Sequence, residues 1–183
     1  MGLLNKIGNA ISNAANQAAN AATSAGSYRE RLVTGNEANQ ARKVFRDTVP
    51  YGRVYVSNGL GFQQRAYTVP HPVKLGFYII HIGPDGYANA ISNNSETTFI
   101  HELAHVWQGH NNIFPWGYVC NSCWHQATEG SGAYNYTPGA AWSTYNVEQQ
   151  AQIVMHWWQQ GGRESDNDVR WRYIRDNIRA LQR

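Results

Sequence analysis

The segment that most constrains this chain is His101-Glu102-Leu103-Ala104-His105, set in a run from Ser95 to Gly109. Ser95 can cap the first turn of a helix, Glu96 suits the positive end of its dipole, and Gly109 can close it in a left-handed conformation. A helix is therefore expected over 95–109. On its 3.6-residue repeat, His101 and His105 stand one above the other on one face. Two imidazoles so placed can hold one Zn²⁺, and Glu102, beside the first of them, can reach a water on that ion as general base. The competing reading is an amphipathic core helix whose histidines face solvent or bond locally. By composition alone the H-E-x-x-H pattern arises in roughly one such chain in a hundred, and a capped helix is the context it requires.

Charge along the chain agrees with a cation site. The 183 residues carry a formal net charge of +3, yet residues 75–162 contain no Lys or Arg and hold Asp85, Glu96, Glu102, Glu129 and Glu148, a formal −5. All seven His fall between positions 71 and 156. Nucleic acid is disfavoured as a partner, because its binding rests on Lys and Arg neutralising phosphates. Aromatic residues, at 13%, exceed what a disordered chain carries, and the length suits one domain with a sizeable core. No apolar run approaches the roughly 20 residues of a membrane span, so stable membrane insertion is not expected. The first residues lack the pattern of a secretory signal, being interrupted by Asn and Gly, and Lys6 stands where myristoylation wants Ser or Thr.

Residues 1–27 form a low-complexity arm in which Leu3, Leu4, Ile7, Ala10 and Ile11 are helically spaced, so a weak amphipathic helix or a disordered tail is expected there. Residues 28–183 are expected to form the domain. Within it, a helix is expected over 36–49, stopped by Pro50 and Gly52. Strands are expected over 53–56, 62–69 and 77–82, with an edge strand over 87–91 that could hold an extended peptide by β-addition. The long irregular stretch 110–143 reads as an ordered wall or lid. Helices are expected over 144–160, stopped by Gly161-Gly162, and over 167–181. The last puts Trp171, Ile174, Ile178 and Leu181 on one side and a solvated Arg face on the other.

A catalytic tetrahedral zinc needs one more protein ligand and an open position. Gly three and His six residues beyond His105 would supply it, but Gln108 and Asn111 stand there. The better candidate is Glu148, a first-turn carboxylate on the next well-formed helix, with Ala151 about one turn on keeping that face small enough for two helices to approach. His110, His125 and His156 remain alternatives, and Glu148 could instead serve only the helix dipole.

The runs His101-Glu-Leu-Ala-His105-Val-Trp-Gln, Asn121-Ser-Cys-Trp124-His125-Gln and Tyr145-Asn-Val-Glu148-Gln-Gln-Ala151 resemble small bacterial zincin-like metallopeptidases. These occur beside Rhs and VgrG genes and as the carboxy-terminal domain of some VgrG spike proteins of type VI secretion. The resemblance spans roughly residues 75–160. It implies gluzincin-type ligation by His101, His105 and Glu148. It also implies synthesis in a bacterial cytoplasm and delivery, as an antibacterial toxin, into a target's periplasm, with a VgrG/Rhs-type delivery protein and a cognate immunity protein as partners.

Cys120 and Cys123 suit a local disulfide first, two free thiols second, and a redox or metal role last. His125, Tyr134, Tyr136 and Tyr145 are candidate donors to the oxyanion formed when a carbonyl is attacked. The expected fold is α+β and zincin-like, a small, mostly antiparallel sheet packed against the motif helix and the Glu148 helix. The expected activity is zinc-dependent peptide-bond hydrolysis with Glu102 as general base. Two rivals stand beside it, an amidase or endopeptidase cutting peptidoglycan stem peptides and a non-catalytic adaptor of a secretion particle braced by zinc.

Overall fold

A computed structural model describes residues 28–61, 64–111 and 134–180. The arm 1–27, Cys120, Cys123, His125 and most of the expected wall lie outside the described residues. Strands β1 (Glu30–Leu32), β2 (Val54–Ser57), β3 (Tyr67–Pro70) and β4 (Tyr78–His81) form one sheet in the order β1-β2-β4-β3. The outer pairs β1/β2 and β3/β4 are antiparallel, as expected, but the central pair β2/β4 is parallel. The chain leaves β2 for the far edge, lays down β3, and returns through residues 71–77 to fill the gap with β4. Val54, Val56, Tyr78 and Ile80 point into the core, and Tyr55 between them lies on the other face, the period-2 pattern of a strand.

Helix α1 (Gly35–Phe45) opens on a capping box in which the Glu37 amide donates to Thr34 Oγ1 and the Thr34 amide donates to the Glu37 carboxylate. It ends earlier than the expected 49 because Arg46 takes a φ of 52°. The turn after β4 becomes a short helix, α2 (Gly83–Ala88), with Pro84 in its first turn, and this displaces the edge strand expected over 87–91. Ala90, inside that expected strand, gives its amide to Glu37 Oε1 at 3.1 Å instead of to a ladder. The strand expected from 62 begins only at Tyr67, because the Gly61 amide donates to the Arg65 carbonyl and Gln64 takes a φ of 59°, closing a turn.

Helix α3 (Glu96–Asn111) runs through the middle of the molecule and past Gly109, with every residue from Phe99 to Gly109 buried. It lies between the sheet and α4 (Val147–Gln159), with α1 and the carboxy-terminal α5 (Val169–Tyr173) completing the core. Helix α4 starts three residues later than expected. Trp142–Thr144 is a single 3-10 turn, and Asn146 and Gln149 then form the capping box. Gly161 and Gly162, at φ 90° and 59°, stop it. Beyond α5 the chain continues as a π turn, Ile174–Ile178, which buries Trp171, Ile174 and Ile178 as the pattern required. Arg179 departs from the solvated face expected of it. Its guanidinium bonds the Val44 and Lys43 carbonyls and Glu164 and lies over Trp171, tying the carboxy-terminal turn to the end of α1.

Candidate metal centre

A helix buried all round is ordinarily apolar, because an unpaired polar group away from water costs several kcal/mol. Helix α3 nevertheless buries His101, Glu102, His105 and Gln108, at 9, 4, 5 and 2% exposure. Each must therefore be satisfied by something specific, and the neighbouring elements supply it. The two imidazoles sit one turn apart with ring centroids 5.0 Å from each other, edge to face. Opposite them, α4 brings Glu148, 1% exposed, into the interface, where Ala104 and Ala151 are small enough for the helices to close. One carboxylate oxygen, Oε2, lies 3.3 Å from His101 Nε2 and 3.5 Å from His105 Nε2.

That spacing fits a metal ion. Two ligands at ~2.0–2.1 Å on a tetrahedral ion stand ~3.3 Å apart, and one donor atom from each of the three residues lies within 4.8 Å of the others. Among the described residues no other group of three or more His, Cys, Asp or Glu is so placed. His110 is exposed at the end of α3, and His156 Nδ1 lies 3.0 Å from the Tyr136 hydroxyl, so neither joins the cluster. Burial alone would push the Glu148 carboxyl up, but His105 and His101 beside it hold it well below the usual carboxylate range. Burial likewise opposes the His105 imidazolium, and Glu148, with smaller help from Glu102 and Gln108, raises it to about 9. Without a metal the cluster is thus an ion pair, with a proton where the cation would go.

Glu102 stands outside the ligand set. Its Oε2 accepts a hydrogen bond of 2.7 Å from Thr68 Oγ1 on β3, so the carboxylate is held between the motif helix and an edge strand. Burial raises its pKa, while His105, His101 and the Thr68 hydroxyl pull the other way. The carboxyl thus stands beside the group that could hold a metal ion without belonging to it. Tyr134 lies near, its ring 6.2 Å from that of His101. Burial and the Glu148 carboxylate raise its phenol, and the positive charge of Arg65 opposes them.

The other two tyrosines are engaged elsewhere. Tyr145 donates to the Thr137 carbonyl at 2.7 Å and packs with Ile153 and Tyr173 in a separate small core. Tyr136 meets His156, its hydroxyl 3.0 Å from Nδ1. Sequence reasoning missed Thr68 and Gln108. Thr68 lies 34 residues from Glu102 with no local signal. Gln108 could have been noticed, since it follows His105 by three positions on one helix face. Compared with known proteins, the chain matches no family model, no curated protein and no solved structure.

Proposed function

We propose that the chain is a zinc-dependent peptide-bond hydrolase of zincin-like fold, with His101, His105 and Glu148 as gluzincin-type ligands and Glu102 as general base. One observation carries the reading. Three donors converge with metal-ligand spacing while a second buried carboxylate, one residue from the first ligand, stays outside the set on a Thr68 hydroxyl. A structural zinc site closes all four positions with protein, whereas three donors leave one for water or substrate. A bound Zn²⁺ would polarise the substrate carbonyl and acidify a water. Glu102 would take the proton of the attacking water as the water oxygen adds to the carbonyl carbon, and deliver it to the amine nitrogen as the C–N bond breaks. Tyr134, with its ring 6.2 Å from that of His101, is a candidate oxyanion donor. Strand β3 is a sheet edge touching Glu102 through Thr68, which suits an extended peptide added alongside it.

The resemblance to type VI-associated metallopeptidases supports a further part of the reading, that of an antibacterial effector carried by a VgrG/Rhs-type protein, acting in a target periplasm and neutralised by an immunity protein. Peptidoglycan stem peptides would be cut by the same residues, and release of muropeptides from sacculi would identify that substrate. The test is hydrolysis of an unstructured polypeptide by the zinc-loaded protein beside Glu102→Ala, with both also directed to the bacterial periplasm. A loss of about 10²–10⁴-fold in Glu102→Ala, and growth arrest only with Glu102 present, are expected. Equal activity in the two proteins would remove the general base, and a zinc-binding protein inert in both assays would return the adaptor reading.

A further inference from the structure

Gln108 is 2% exposed on α3, on the face that meets α4, and its amide lies against the Val147 carbonyl, Gln150 and His105. Its Nε2 lies 2.9 Å from the Val147 carbonyl and 3.0 Å from Gln150 Oε1, and its Oε1 lies 2.8 Å from His105 Nδ1. The Val147 carbonyl can only accept, so the Gln108 nitrogen must face it. The Gln108 oxygen then faces His105, and Nδ1 must carry a hydrogen to donate to it. The assignment leaves Nε2, the atom 3.5 Å from Glu148 Oε2, as the nitrogen that can bind a cation. A backbone carbonyl on one helix therefore decides, through one side-chain amide, which nitrogen of a histidine on another helix faces the cluster.

We infer that Gln108 is the positioning residue of the metal centre, fixing the tautomer and ring orientation of His105 and tying it to the residue next to Glu148. The inference rests on the metal-site reading above and adds a residue to it. Metal-bound histidines commonly donate their second N–H to a fixed acceptor, and losing that acceptor weakens metal binding about 10–100-fold. Here the acceptor is itself anchored across the helix interface. Val147 directly precedes Glu148, so the contact that orients one ligand also sets the distance to another. Gln150 is held elsewhere, its amide donating to the Trp142 and Tyr145 carbonyls at 3.3 and 3.2 Å.

The experiment measures Zn²⁺ affinity of the full chain by competition with a chromophoric chelator, for wild type, Gln108→Met and Gln150→Met, together with the melting temperature of each metal-free protein. Gln108→Met is expected to weaken zinc about 10–100-fold. Gln150→Met keeps the Val147 carbonyl and the His105 contact, and is expected to stay within about threefold of wild type even where it melts lower. Equal losses in both variants would make the effect general loosening and overturn the inference, as would a Gln108→Met affinity within threefold of wild type. Should Gln108→Met not fold, ¹⁵N NMR of zinc-loaded wild type decides, with coordination through His105 Nε2 and a protonated Nδ1 expected and coordination through Nδ1 overturning it. A wild type that binds no zinc would sink the metal reading itself, an outcome distinct from loss in the variant alone.

Discussion

Removing the metal should turn His105 into a titrating group whose discharge loosens the fold. Burial opposes its imidazolium, yet Glu148 with Glu102 and Gln108 raises the pKa from 6.5 to about 9. A folded-state value above the unfolded one means that the folded protein holds the proton more tightly. The stabilisation is therefore fully present below pH 6.5 and lost as pH rises through 9. At about 1.4 kcal/mol per unit the span corresponds to on the order of 3 kcal/mol. Each kcal/mol shifts a domain of this size by roughly 2–4 °C, so the metal-free protein should melt about 6–12 °C lower at pH 9.5 than at pH 6.5. Buried His81, lowered to about 4 by desolvation, acts in a different window, since it costs stability only as pH falls below 6.5. Calorimetry of chelator-treated protein at matched ionic strength reads the effect, and Glu148→Gln should flatten it. Apparent zinc affinity should rise over the same window, because the ion displaces the proton. A melting temperature that is flat or rises between those pH values would refute the ion pair.

Two further predictions concern groups that the metal does not touch. Thr68→Val removes the 2.7 Å donor to Glu102; hydrolysis should fall about tenfold in kcat with little change in KM, and the acidic limb of the pH profile should move upward, because the lost hydrogen bond favoured the charged carboxylate. Thr68→Ser should restore both, and an unchanged profile in Thr68→Val would show that the contact is only structural. Arg179→Met removes the donors to two α1 carbonyls and to Glu164 from a side chain only 9% exposed. It should cost about 2–4 kcal/mol in thermal or denaturant unfolding while leaving zinc affinity unchanged.

The parts of the molecule legible in the sequence are those whose cause is local. The motif helix was readable because the spacing of His101 and His105 acts within one turn, and the end of α4 because Gly161-Gly162 stops it, whereas its start, set by the Asn146 and Gln149 capping box, was expected three residues too early. Glu148 stood out as an isolated carboxylate in that first turn. The parallel pairing of β2 with β4 was not readable, since nothing in either strand records which neighbour fills the gap between them. The edge strand expected over 87–91 failed for a related reason: Ala90 is held by Glu37, 53 residues away, and no short-range pattern carries that bond. Neutral polar residues were hardest to assign. Thr68 and Gln108 gain their roles only from partners on other elements. Arg179 looked like surface because its position in the helical repeat placed it there, while Trp157, Trp171 and two backbone carbonyls enclose it.

The central claim is a metal held by three residues with a second carboxylate beside it, and the metal-to-protein ratio tests it most directly. Wild type, His101→Ala, His105→Ala, Glu148→Ala and Glu102→Ala would be purified alike, equilibrated with zinc, freed of excess and measured by inductively coupled plasma mass spectrometry, with circular dichroism to check folding. The expected result is one zinc per chain in wild type and in Glu102→Ala, and little or none in the other three. Full occupancy in a folded Glu148→Ala, or loss of zinc from a folded Glu102→Ala, would contradict the assignment of ligand and base.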